Sequence, residues 1–378
     1  MTNVVVAGYA RSAFTPAKKG SLSRVRGDEM AAEVVRALIA RTGVKAEDIE
    51  DIIVGCSFPE GEQGLNVARM IGMLADLPLS AAGQTVNRFC GSSMSSVHIA
   101  AGAIQMNAGD VFVCVGVESM SRVPMGGFNP MPSPKLYAAK PEAYMGMGDT
   151  AENVAQRWQI TRADQEAFAL NSHEKAAAAQ KDGRLKDEIV PIMNGKTTID
   201  QDECIRHDAS LEGLAALKPA FDSEGTVTAG TSSPLTDGAS AVLICSEDYA
   251  VRHRLPMLAR IKSIAVAGCA PEIMGIGPVG ASRKALARAG ISPKDLSVVE
   301  LNEAFASQAL ACIHDLELDP AIVNFDGGAI ALGHPLGATG ARITGKAAAV
   351  LKREGGRYAL ATQCIGGGQG IATVLEAI

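Results

Sequence analysis

A segment near the start of the chain returns far downstream, and this repeat limits the possible folds more than any other feature. Arg36, Ala40, Arg41, Gly43 and Asp48 recur as Arg283, Ala287, Arg288, Gly290 and Asp295, with apolar residues matched at Ile39 and Leu286, Val44 and Ile291, and Ile49 and Leu296. Each copy has helical apolar spacing, a glycine stop, a short capped turn and then a strand-like run. A repeat of this length predicts two similar α/β halves. The order continues in both. After the strand-like Thr85-Val86-Asn87 come Cys90, a small-residue helix through Ala108 and a strand from Val111; after the strand-like Ile322-Val323-Asn324 come a glycine-rich stretch to Gly340, a helix through Leu351 and a strand from Tyr358. Units of this kind predict parallel sheets with helix-covered faces and sites where the strands end. The expected divisions are a first half over 1–117, an inserted loop domain over 118–240 whose flanks return to that half, and a second half over 241–378. Methionine, proline and glycine crowd the start of the middle region, while its apolar content argues against a disordered linker.

Composition narrows the class. In 378 residues, 47% are hydrophobic and only 4% aromatic, with 40 glycines, so the core must be aliphatic side chains on closely packed backbone. The net charge of −6 carries no long basic run, which argues against nucleic acid. The start reads as a buried strand rather than a signal peptide, and no apolar run is long enough to span a bilayer. Cysteines at 56, 90, 114, 204, 245, 269, 312 and 364 lack the short spacing of a zinc or Cys-x-x-Cys site, so a reduced, cytoplasmic protein without a bound metal is expected.

Four segments carry the chemistry. Cys90 lies between a strand and a helix that opens on Gly91-Ser92-Ser93, where the helix dipole should lower a thiol pKa; from placement alone an inert buried cysteine remains an equal reading. Asn302, in Asn302-Glu303-Ala304-Phe305, ends a strand, where an amide can hold a water or donate to an oxyanion. His334, between Gly333 and Pro335, is placed to act as a base or oxyanion donor. Cys364 opens Cys364-Ile365-Gly366-Gly367-Gly368, where glycines let backbone N–H groups approach a ligand. His98, His173, His253 and His314 read as structural or surface residues, and His207 stays undecided.

These four segments, in this order, resemble the signature blocks of the thiolases, and the likeness runs the whole chain. The resemblance implies a five-layered αβαβα fold of two similar halves with an inserted loop domain. It also implies an acyltransferase that cleaves 3-ketoacyl-CoA to acetyl-CoA and a shortened acyl-CoA, and works in reverse as a Claisen condensation. Cys90, activated by His334, would take the acyl group. His334 and a water on Asn302 would stabilise the enolate, Cys364 would move the proton, and the N–H groups of Cys90 and Gly366 would hold the second oxyanion. Matching positions imply contacts to coenzyme A, a substrate and not a cofactor, from Arg206, Ser233, Leu217, Phe221, Ala229, Met147 and Phe305. A homodimer or homotetramer is implied, with association to other β-oxidation enzymes as a further expectation.

Gly146 stands where short-chain biosynthetic members have a histidine, and with Thr231-Ser232-Ser233 and Met274-Gly275 this favours the degradative branch; Arg206-His207 and Thr150-Ala151-Glu152-Asn153 resemble the biosynthetic one. The competing readings are an acetoacetyl-CoA-forming enzyme, a decarboxylating condensing enzyme of the same fold, for which Cys364 is out of place, and a non-catalytic acyl-CoA or lipid binder.

Overall fold

The computed structural model describes residues 2–195 and 197–378. Strand β1 (Val4–Ser12) leads into helix α1 (Gly27–Thr42), and then into strands β2 (Asp51–Gly55) and β3 (Ala82–Val86). Helix α2 (Ser92–Gln105) and strand β4 (Val111–Ser119) complete the first unit. The middle region includes helices α3 (Met147–Arg157) and α4 (Arg162–Lys181). Strands β5 (Thr236–Ser246) and β6 (Ala259–Gly268), helix α5 (Gly277–Ala289), strand β7 (Val298–Leu301), helices α6 (Ala306–Asp315) and α7 (Leu336–Glu354), and strands β8 (Tyr358–Ile365) and β9 (Gln369–Glu376) follow.

The repeat has a direct structural counterpart. α1 stops at Gly43 and α5 at Gly290, each at φ 71°, a left-handed cap that glycine adopts without strain. A short 3-10 turn and then β2 or β7 follow in each copy.

The strands run in the order β7-β8-β9-β6-β1-β5-β4-β2-β3, and the halves join through two residue pairs, Val5 with Arg260 and Val6 with Ala259. Alternation along the strands assigns each face. Val5, Val54, Val113 and Leu243 pack on α1, whereas Val4, Val6, Ile53, Phe112 and Ile244 pack in a central core with α2 and α7. That core also takes Val298, Ala359, Ala361 and Leu375 from the other half-sheet, whose opposite face (Val299, Leu301, Leu360, Val374) meets α5 and α6. The result is five layers, αβαβα. The central helices approach closely: a Cβ at Gly340 of α7 would lie 2.2 Å from the Met94 backbone nitrogen of α2.

Three expectations need correction. The sheet is mixed: β2 pairs parallel with β3 and β4, as does β7 with β8, but β1, β5, β6 and β9 form antiparallel pairs. Between β8 and β9 the cause is local, since the turn over 366–368 is too short for the crossover that parallel pairing needs. No strand forms at 322–324. Val323 makes a single bridge to Val299, and Asn324, at φ 49°, turns the chain while its side-chain amide bonds the backbone of Leu301. Residue 241 falls inside β5, which pairs with β1 and β4, so the chain leaves the first half after Ser246. Among the described residues, no helix is long and apolar enough to cross a membrane.

Candidate active site

The turn between β3 and α2 holds Cys90 in place. Phe89 has φ 44°, a left-handed conformation that a non-glycine residue keeps only when its surroundings enforce it. Here the Asn87 Oδ1 accepts from the Phe89 N–H at 2.9 Å, the Ser92 hydroxyl donates to the Phe89 carbonyl at 2.6 Å, and Ser92 Oγ accepts from the Arg88 N–H at 2.9 Å. From the other half, Gln363 Nε2 donates to the Cys90 carbonyl at 2.6 Å. The backbone N–H groups of Gly366 and of Cys90 itself are directed at the Cys90 sulfur.

The second half supplies the partners. His334 is buried; its backbone N–H donates to Thr236 Oγ1 at 3.0 Å, and its Nδ1 lies 2.6 Å from Thr339 Oγ1. Because the Thr339 hydroxyl donates to the Pro335 carbonyl at 3.3 Å, Nδ1–H donates to Thr339 and the Nε2 lone pair faces Asn302 Nδ2 at 3.4 Å. That tautomer leaves Nε2 as the base. Asn302 is buried, and its Oδ1 has no partner among the described residues, a group a bound water would satisfy.

Cys90, His334 and Cys364 open on one cavity of about 260 Å³, together with Ser232, Ser233, Phe221, Phe305, Met147, Gly146, Met120, Met125, Met274, Leu235 and Leu336. The structure thus gathers Cys90, His334, Cys364, Met147, Phe221, Ser233 and Phe305 on one wall system, with Asn302 and Gly366 touching it through His334 and Cys90. Arg206, Leu217 and Ala229 do not line it. Arg206 and Ala229 are exposed, and Leu217 packs with Leu214 beside α4. Sequence reasoning misses Met120, Met125 and Asp149 and reads Met274 only as part of a branch-favouring segment; the methionine-rich stretch after residue 118 is the signal that could find the first two. His98 bonds Thr373 and His173 accepts from the Arg206 N–H, while His253 stacks on Tyr249 and His314 meets Asp315.

The electrostatics correct the expectation of a lowered thiol pKa. Burial pushes Cys90 up to about 11, against the two backbone N–H groups that lower it, with Glu118 adding a further rise. Burial, then Arg342, lowers His334 to about 3. The ligand-free pair is therefore neutral thiol and neutral imidazole. Below the folded pKa the thiolate fraction grows tenfold per pH unit, so alkylation of Cys90 by iodoacetamide should accelerate about tenfold per unit from pH 7 to 9 without a plateau. A rate already level at pH 7 would mean a standing thiolate.

Two thiols facing one pocket suit an enzyme that receives an acyl group as a thioester and hands it on to a second thiol. The chain belongs to the thiolase family: residues 4–248 match the family description "Thiolase, N-terminal domain" and 255–377 match "Thiolase, C-terminal domain". It is 49% identical over 385 residues to the 3-ketoacyl-CoA thiolase of Acinetobacter baumannii (strain AYE), covering 100% of this chain and 98% of that one. With the 3-ketoacyl-CoA thiolase of Bacillus subtilis (strain 168) the identity is 45% over 389 residues, covering 100% of both. Human mitochondrial 3-ketoacyl-CoA thiolase in complex with CoA superposes with a TM-score of 0.93 at 38% identity, over 100% of this chain and 98% of the human one.

Proposed function

We propose that this chain cleaves 3-ketoacyl-CoA with coenzyme A to give acetyl-CoA and a shortened acyl-CoA, through an acyl-cysteine, as in fatty-acid β-oxidation. The observation that carries the reading is the meeting of Cys90, His334 and Cys364 in one apolar cavity, with the Gly366 N–H directed at the Cys90 sulfur. In our assignment His334 Nε2 takes the Cys90 proton as the sulfur attacks the 3-keto carbon. The C2–C3 bond breaks, and its electron pair becomes the enolate of acetyl-CoA, stabilised by His334 and a water on Asn302. Cys364 protonates C2. It then takes the proton of incoming coenzyme A, whose sulfur attacks the acyl-Cys90 carbonyl, the oxyanion resting on the N–H groups of Cys90 and Gly366. Collapse of that intermediate breaks the carbon–sulfur bond to Cys90, and the released thiolate takes back the proton held by His334. Cys90, His334 and Cys364 thus end as they began, and the reaction needs no cofactor beyond the coenzyme A consumed as substrate. Run backwards, it is a Claisen condensation.

We assign coenzyme A to the region 118–240, with Met147, Phe221, Ser233, Leu217 and Ala229, joined by Phe305 of the second half, along the pantetheine and the exposed Arg206 toward phosphate. A homo-oligomer is proposed on the free edge of β3, beside exposed Leu65, Leu79 and Phe89. Eight unpaired cysteines support a reducing compartment, the cytoplasm.

Chain length tests the degradative reading. Gly146 lies on the cavity wall, and a Cβ there would meet the Asp149 carboxylate at 2.8 Å. Each acyl methylene buried among these methionines adds about 0.8 kcal/mol, close to fourfold in kcat/KM. Substrates of six to ten carbons should therefore be cleaved at least as efficiently as acetoacetyl-CoA. Gly146→His should lower the eight-carbon kcat/KM about tenfold relative to acetoacetyl-CoA. Strict preference of the unmodified enzyme for acetoacetyl-CoA would assign it to the biosynthetic branch.

A further inference from the structure

We propose that Glu303 and Glu118, which do not line the cavity, are positioning residues that hold the His334 turn at its two ends and so set the alignment of His334 with Asn302 and Cys90. The proposal rests on the reading of His334 as the base.

Glu303 directly follows Asn302 and is 2% exposed. Its Oε1 accepts from Asn324 Nδ2 at 2.7 Å, and its Oε2 accepts from the Ser172 hydroxyl at 2.6 Å and the Ile330 N–H at 3.2 Å. Asn324 in turn pairs with the backbone of Leu301, its Oδ1 accepting at 3.0 Å and its Nδ2 donating at 2.9 Å. One carboxylate thus joins the strand end that carries Asn302 to the short helix Ala329–Leu332 that leads into His334. The approach is so close that a Cβ at Gly328 would lie 2.0 Å from Glu303 Cδ.

Glu118, on β4 of the other half, is 1% exposed. Its Oε2 accepts from the Gly337 N–H at 2.9 Å, in the first turn of α7 just after His334, and from the Ser57 N–H at 2.8 Å. Its Oε1 accepts from Gln63 Nε2 at 3.0 Å and the Phe58 N–H at 3.3 Å. The Ser57 carbonyl accepts from Asn87 Nδ2 at 3.0 Å, which brings the Cys90 turn into the same network. All four oxygens of the two carboxylates face donors only. An amide would turn an NH₂ against an N–H or O–H at one of them, so even the isosteric change must loosen the turn. Displacement of a reacting group by about 1 Å costs on the order of a hundredfold in rate.

The experiment compares Glu303→Gln and Glu118→Gln with the unmodified enzyme for kcat, both KM values and melting temperature, each also in a His334→Ala background. Expected is a kcat loss of roughly ten- to a hundredfold with KM values within about threefold, shrinking to about twofold or less when His334 is already absent. Ser172→Ala and Gln63→Leu each remove one donor and should show the same pattern more weakly. They decide the matter if either glutamine variant fails to fold. An unchanged kcat in folded variants overturns the proposal, as does an equal loss in the His334→Ala background. Full activity of His334→Ala alone would instead remove the reading of His334 on which the proposal stands.

Discussion

Cys90→Ala should abolish thiolysis and condensation together, with a loss of about four orders of magnitude or more in kcat. In the proposed mechanism both directions pass through a thioester on this sulfur, and no other group in the cavity replaces it. Cys364 shares the pocket, but burial, followed by repulsion from Cys90 whenever that sulfur is ionised, holds its thiol well above the ordinary range. Nor does the arrangement place Gly366 on the Cys364 sulfur: the Gly366 N–H is aimed at Cys90. The variant should fold, since Cys90 packs in a small cluster with Met120 and Leu336, where a lost sulfur costs about 1 kcal/mol. Mass spectrometry of the unmodified enzyme after brief exposure to 3-ketoacyl-CoA should find the acyl group on the peptide containing Cys90. An acyl group found only on Cys364 would exchange the two roles.

His334→Ala should lower kcat by about three to four orders of magnitude, and Asn302→Ala by about two, with KM changed only modestly. The difference follows from the geometry. In the proposed mechanism His334 serves twice, as a base that burial keeps neutral and as a donor once protonated, whereas Asn302 acts only by orienting a water and the imidazole. The tautomer is testable as well. Thr339→Val removes the acceptor at Nδ1 and should reduce kcat about tenfold without touching the cavity wall. Equal kcat in His334→Ala and the unmodified enzyme would take His334 out of the chemistry.

Much of the architecture could be read beforehand because it rests on local signals. The glycine stops at 43 and 290 and the paired strand-like runs mark the same unit twice and form as expected. The turn between them carries a side-chain cap only in the second copy, where Asp295 accepts from the Ser292 N–H and hydroxyl. Residues 322–324 read as a strand because Ile322-Val323 is apolar and β-branched, yet the run makes only one bridge. The backbone N–H and carbonyl of Leu301, which would extend the pairing, are taken up instead by the Asn324 side chain, a competition that apolar pattern does not register. The direction of neighbouring strands was misread for a similar reason: burial on both faces gives parallel and antiparallel strands the same continuous apolar run.

Sequence by itself determined the two-halved α/β plan, the reactive residue types and the turns that present them, since backbone conformation and helix termini depend on near neighbours. Only the tertiary structure decided which of those residues meet. Cys90 and Glu118 come from one half, while Asn302, His334 and Cys364 come from the other. Their assembly depends on the packing of α2 on α7 and on hydrogen bonds across hundreds of residues, such as Gln363 to the Cys90 carbonyl. The pKa of Cys90 was likewise decided there. A helix N-terminus is visible in sequence and lowers a thiol pKa, but complete burial raises it more, and burial is a property of the folded molecule.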